Sequence, residues 1–121
     1  MNLTMSNREI GVVTIVDVRG RIVLGQESAA LRSVIDDLLK QERKLILLNL
    51  AEASYIDSAG LGTLVSSFAS VQNQGGQLKL LNLTNKVRDL LQITKLFTVF
   101  DVQNDEVAAV NSFHEAAAAG T

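Results

Sequence analysis

The hydropathy pattern predicts an α/β domain: a mixed four- to five-stranded sheet with a parallel centre, covered by about four helices mainly on one face. Three observations carry this expectation. The apolar run Lys44-Leu45-Ile46-Leu47-Leu48-Asn49-Leu50 returns as Gln77-Leu78-Lys79-Leu80-Leu81-Asn82-Leu83, with the same Leu-Leu-Asn-Leu ending. Continuous apolar runs of strand length suit strands buried on both faces, as in parallel sheets. Between the two copies, Leu61, Leu64, Val65, Phe68 and Val71 or Gln72 recur with helical spacing, so the segment reads as a βαβ unit; a solenoid would need about three copies or more. Proline is absent from all 121 residues, so no rigid linker divides the chain. Residues 1–121 therefore form a single domain, with its core at about 10–113 and residues 116–121 expected to fray.

The other elements follow in order. Leu3 to Ile10 is a weak strand candidate that can pair, through a turn at Gly11, with the β-branched run Val12, Ile15, Val16 and Val18, which ends near Gly20. Leu31, Val34, Ile35, Leu38 and Leu39 then trace the stripe of an amphipathic helix, preceded by polar Gln26, Glu27 and Ser28. Gly75-Gly76 end the crossover helix. A short helix carries Val87, Leu90 and Leu91 after Thr84-Asn85, and Leu96-Phe97 follow as apolar loop residues that plug the core. Val99 to Val102 is a last short strand. The final helix opens at Asn104 with Asp105 and Glu106 in its first turn, as the helix dipole prefers, and docks through Val107, Val110 and Phe113.

Composition excludes several functions. Lys and Arg number 11 against 13 Asp and Glu, for a net charge of −2. With no basic excess and no basic cluster, nucleic acid is not an expected partner. Aromatic residues make up 4% of the chain, too few for base- or sugar-stacking platforms. The absence of cysteine removes disulfides and thiolate metal sites, and the single histidine, His114, has no ligand-spaced partner, so neither a metal nor another cofactor is expected. The N-terminus lacks the basic head and apolar stretch of a signal peptide, and no apolar run could span a bilayer. The expectation is a soluble cytoplasmic domain, 47% hydrophobic and able to bury a sizeable core, with no membrane partner.

The chemistry concentrates in Ile56-Asp57-Ser58-Ala59-Gly60-Leu61-Gly62, where an apolar strand ends and the crossover helix begins. Helix starts offer unpaired N–H groups and a positive dipole end, so a phosphate on Ser58 would be tolerated there. Ser58 equally suits the role of helix N-cap, and Asp57 beside it suits capping, orienting the hydroxyl or kinase recognition. Nucleophilic catalysis fits poorly, because Ile56 stands where a nucleophile elbow requires glycine and the one histidine lies near the chain end. Gly60 and Gly62 match neither a Walker loop nor a dinucleotide fingerprint. A glycine early in a helix costs about 1 kcal/mol, which points to close approach of another backbone or of a partner at Gly60. Asp36-Asp37 and Asp105-Glu106 read as solvated helix carboxylates.

Tyr55-Ile56-Asp57-Ser58-Ala59-Gly60-Leu61-Gly62, preceded by Leu48-Asn49-Leu50 and followed by Gly75-Gly76-Gln77-Leu78 and the Leu90-Leu91 to Phe97 region, resembles the STAS domain. This is the fold of anti-sigma factor antagonists and of the cytosolic tails of sulfate transporters, and the resemblance covers Ile10 to Phe113. It implies a non-enzymatic regulator of transcription and signal transduction whose Ser58 is phosphorylated by a partner that is both serine kinase and anti-sigma factor. The unphosphorylated form would bind that partner and free the sigma factor; a metal-dependent serine phosphatase would reset the cycle. The docking face implied is Asp57, Ser58, Ala59, Gly60, Leu61 and Gly62. Two departures stand out. Ala59 replaces a second hydroxyl residue, leaving Ser58 as the sole acceptor of the motif, and Val23 of Gly20-Arg21-Ile22-Val23 replaces a frequent aspartate, with Glu27 as a nearby carboxylate that could substitute. The competing expectations are a non-switching STAS subunit of a larger signalling or transport assembly, and a small enzyme or nucleotide-binding protein.

Overall fold

The computed structural model describes residues 3–119, with the backbone alone for 114–119. Five strands lie in the order β1-β2-β3-β4-β5: β1 (Leu3–Ile10), β2 (Val13–Ile22), β3 (Leu45–Ile56), β4 (Gln77–Leu81) and β5 (Asp101–Gln103). β1 and β2 form an antiparallel hairpin, and β2 to β5 run parallel. Gly11, with φ +60°, is the first of the two residues joining β1 to β2, the position where a hairpin turn of this length accepts glycine. The weak N-terminal strand is thus real, and its weakness has a cause. As an edge strand it is solvated, with only Leu3 and Met5 resting on the core.

Helices α1 (Gln26–Lys40), α2 (Ser58–Asn73) and α3 (Asn85–Ile93) cover one face. Leu31, Ile35, Leu38 and Leu39 of α1, Leu61, Leu64 and Val71 of α2, and Val87 and Leu91 of α3 join Val16, Val18, Ile46, Leu48, Leu50, Leu78 and Leu80 of the sheet in one core. Leu96 and Phe97 pack against it, as expected of plugging residues. The remaining helix, α4 (Glu106–Ala119), covers the opposite face, where Ala109, Val110 and Phe113 bury against Val13, Ile15, Leu47 and Leu81. Two expected contacts change. Val107 is 69% exposed and Ala109 takes its place, because residues 109, 110 and 113 form the inward stripe of α4. On α2, Val71 rather than Gln72 is buried. The fraying expected for 116–121 concerns side chains, and for 120 and 121 whole residues, outside the described ones.

Polar residues fasten the second face. The Arg8 guanidinium grips Asp17 (Nε–Oδ2 2.7 Å, Nη2–Oδ1 3.1 Å) and Glu106 (Nη1–Oε2 2.9 Å, Nη2–Oε1 2.5 Å), tying the hairpin to the first turn of α4. These bonds hold both carboxyls below their ordinary range. Lys79, almost fully buried, reaches Ser112 Oγ at 2.8 Å and Asp101 at 3.2 Å, with its ammonium 4.7 Å from the centre of the Phe113 ring. A lysine inside an apolar strand is tolerated here because its charge is paired and its donors are used.

Three helices end alike. In α1, α2 and α3 the last carbonyls accept from two residues past the cap: Arg43 N–H to Leu38 O (2.9 Å), Gly76 N–H to Val71 O (2.9 Å) and Leu96 N–H to Leu91 O (2.8 Å). Each such ending needs one left-handed residue. Gly75 supplies it for α2, but Glu42 (φ 62°) and Lys95 (φ 63°) must supply it for α1 and α3. A side chain in that conformation costs about 1–2 kcal/mol, and the Glu42–Lys44 pair is exposed enough to offset little. Glu42→Gly is therefore expected to raise the unfolding free energy by about 0.5–1 kcal/mol, read as a higher urea midpoint with an unchanged slope.

Candidate functional site

β3 extends past the apolar run Leu45–Leu50 to Ile56. Beyond Leu50 it continues through Ala51–Ile56 and pairs only with the end of β2, in the register Glu52↔Arg19, Ala53↔Gly20, Tyr55↔Arg21 and Ile56↔Ile22. The extension carries the start of α2 to the rim of the sheet. There the chain turns sharply: Asp57, in extended conformation (φ −102°, ψ −177°), is the N-cap, and Ser58 is the first helical residue.

Asp57 makes four connections at once. Its Oδ1 accepts from Gly60 N–H at 2.7 Å and its Oδ2 from Leu24 N–H at 3.0 Å. Its own N–H donates to Ile22 O at 3.2 Å, and its carbonyl accepts from Leu61 N–H at 2.9 Å. The side chain thus caps α2 and ties it to the loop after β2. The Gly60 N–H, then the Leu24 N–H, stabilise the ionised carboxylate and hold its pKa below the usual range. The expectation of Ser58 as the cap is corrected by this geometry, because its hydroxyl, one residue later, lies inside the helix rather than before it. Ser58 is exposed, and among the described residues its Oγ makes no hydrogen bond.

The six motif residues divide by exposure. Ser58 and Gly62 face solvent, Asp57 and Ala59 are half-buried, and Gly60 and Leu61 are buried beneath them. For Gly60 the cause is close approach of another backbone: a Cβ there would lie 2.0 Å from the Ile22 carbonyl oxygen. At Gly62 a Cβ would meet nothing within 4 Å. Next to the motif, Tyr55 is 41% exposed and carries the Arg21 guanidinium 5.4 Å from its ring centre.

Val23, which stands where the family often has aspartate, contributes its carbonyl instead, accepting from both Ser28 N–H (3.1 Å) and Ser28 Oγ (2.7 Å). Glu27 lies in the first turn of α1, beside Leu3 and Thr4 of β1. The residue that sequence reasoning passed over is Leu24, an apolar side chain in a turn next to a glycine. The ion-paired cluster of Arg8, Asp17 and Glu106, also unforeseen, left no local signal because Glu106 lies 98 residues from Arg8 in the chain. Asp36 pairs with Arg32, in keeping with a helix-surface role. The His114 side chain lies outside the described residues, and among those described no group of His, Asp or Glu is placed to hold a metal. No helix among them is long and apolar enough to cross a membrane.

Two glycines in one turn should respond oppositely to the same substitution. Gly60→Ala is expected to cost at least about 2 kcal/mol through overpacking against Ile22, whereas Gly62→Ala should be neutral or stabilise by up to about 1 kcal/mol; urea unfolding of the two variants reads both signs. Asp57→Ala should cost about 1–2 kcal/mol at neutral pH. Because the folded pKa of Asp57 is depressed, its contribution is complete above the unfolded value of about 4 and is lost as pH falls through the folded value. The stability gap between the parent and Asp57→Ala should therefore be constant from about pH 5 to 8 and close at lower pH.

Comparison with known proteins places this geometry. The family model described as STAS domain matches residues 4–109. The Anti-sigma-B factor antagonist of Bacillus subtilis (strain 168) is 45% identical over 53 residues, which are 44% of this chain and 49% of that protein. The match thus spans about half the length of that curated relative. Among solved structures, a Thermotoga maritima protein superposes with a TM-score of 0.84 at 22% identity, over 91% of this chain and 94% of the other. The Bacillus cell fate determinant SpoIIAA in its phosphorylated form superposes with a TM-score of 0.71 at 18% identity, over 90% and 98%. The fold, the strand-to-helix turn at Asp57-Ser58 and the family match over most of the chain together identify this protein as a member of the STAS domain family.

Proposed function

We propose that this chain is a cytoplasmic anti-sigma factor antagonist that acts by partner switching at Ser58. The observation that carries the reading is the state of the Ser58 hydroxyl: exposed, unbonded among the described residues, and relieved of capping duty by Asp57. Such a hydroxyl can be modified without dismantling the helix start. In the unphosphorylated state, Ser58, Ala59 and Gly62 offer a small, nearly uncharged surface at the rim of the sheet, held from beneath by Gly60 and Leu61. An anti-sigma factor that is also a serine kinase would dock there and release its sigma factor.

Phosphorylation would place about −1.5 to −2 charges on that surface. The N-terminal dipole of α2 tolerates an anion, so the fold survives. The interface does not: desolvating an unpaired dianion costs a few kcal/mol, and about 3 kcal/mol weakens binding more than 100-fold. A metal-dependent serine phosphatase would restore the binding form. Support comes from the Bacillus subtilis relative, an anti-sigma-B factor antagonist, and from SpoIIAA, a protein of this fold solved in a phosphorylated form. On this reading the chain is a substrate rather than an enzyme, since phosphoryl transfer to Ser58 is performed by the partner.

The test is incubation with ATP, Mg²⁺ and the serine-kinase anti-sigma factor of the same host, followed by mapping of the phosphate by mass spectrometry. Phosphate on Ser58 alone is expected, and none on the Ser58→Ala variant. Ser58→Asp should weaken binding to the kinase at least about tenfold, equivalent to 1.4 kcal/mol, while Ser58→Ala leaves it near the parent value. Phosphate at another residue, or a complex indifferent to Ser58→Asp, would instead favour a non-switching subunit of a larger assembly.

A further inference from the structure

We propose that Leu24 is a specificity-determining residue of the Ser58 surface, an apolar anchor set in position by Asp57 that inserts into an apolar recess of the anti-sigma factor kinase. The inference rests on the reading of Ser58 given above and names the chemistry its partner must present. Leu24 is 76% exposed, yet the backbone before and after it is hydrogen-bonded. Its N–H is held by Asp57 Oδ2 at 3.0 Å. The carbonyl before it, Val23 O, receives two hydrogen bonds from Ser28. The residue after it, Gly25, adopts φ +105° as the cap of α1 and gives its carbonyl to Ala29 N–H at 3.1 Å.

Leu24 is thus presented to solvent by a hydrogen-bonded turn. A side chain pre-positioned in this way loses little backbone freedom when a partner covers it, so most of its burial energy appears as affinity. Exposure alone would not single it out, since Ile93 is equally exposed at 77%. Position does. The parallel strands bring the starts of α1 and α2 to one end of the sheet, and Ile93, the last residue of α3, lies at the other.

One carboxylate joins the two features. Oδ1 of Asp57 caps the helix that begins with Ser58, and Oδ2 holds the Leu24 amide, so the spacing between phosphoacceptor and anchor is set by a single side chain. Asp57 is accordingly a positioning residue. The recess that accepts Leu24 must lie beside the kinase's phosphoryl-transfer site, and a phosphate on Ser58 would have to be desolvated next to an apolar contact, which is where an unpaired charge is most costly.

The experiment measures, by calorimetry, binding of the full chain to the kinase that modifies Ser58, for the parent, Leu24→Ala, Leu24→Met, Ile93→Ala and Ser58→Asp. Leu24→Ala is expected to weaken binding about tenfold with an unchanged thermal midpoint, Leu24→Met to stay within about threefold, and Ile93→Ala to bind like the parent. If Leu24→Ala binds within about twofold of the parent while Ser58→Asp is weakened, the anchor is refuted and the Ser58 reading stands. If Leu24→Ala weakens binding and Ser58→Asp does not, the anchor stands and switching is refuted. Equal losses for Leu24→Ala and Ile93→Ala would also overturn the proposal, since they would reflect general stickiness rather than a seated contact.

Discussion

Ile22 and Gly60 meet with no room for a side chain between them, and the upper end of the domain depends on that contact. The carbonyl of Ile22 lies where a Cβ of residue 60 would sit, so α2 can start directly over the end of β2 rather than a helix diameter away. Once the two backbones touch, Asp57 can reach both Gly60 N–H and Leu24 N–H with one carboxylate. Those bonds lower its pKa and keep it charged throughout the physiological range. The capped helix start, the fixed loop and the free Ser58 hydroxyl are all consequences of that approach.

The same economy means that the modification proposed at Ser58 would not require the fold to be remodelled. Phosphate and cap occupy different residues, so adding the first need not remove the second. Helix starts favour negative charge, so the cost of the proposed phosphorylation would fall on the partner that covers the surface. The proposed switch would act through the desolvation term of an interface rather than through a conformational equilibrium.

Much of the fold was legible in the sequence because it follows from periodicity. The parallel strands showed as the paired Leu-Leu-Asn-Leu runs, the helices as their apolar stripes, and the end of α2 as Gly75-Gly76. Boundaries set by tertiary pairing were not legible. Residues 51–56 of β3 lie beyond the apolar run and contain Glu52 and Ser54, and they are strand because the end of β2 offers them a partner. Helical spacing pointed to Val107 as a docking residue of α4, and only the placement of the helix on the sheet buries Ala109 instead. At the site, the motif marked Asp57 and Ser58 but left both able to cap, since each has a suitable oxygen.

By itself the sequence determined the fold class, the family resemblance and the place of the Asp57-Ser58 strand-to-helix motif, because these depend on local pattern and on side-chain chemistry read in order along the chain. The tertiary structure decided which residue caps α2, why position 60 must lack a side chain, and that the Leu24 amide is held by Asp57, the residue before Ser58. Those facts depend on segments more than thirty residues apart, Leu24 and Asp57 among them, being brought within hydrogen-bonding distance, and no local pattern encodes a distance across the sheet.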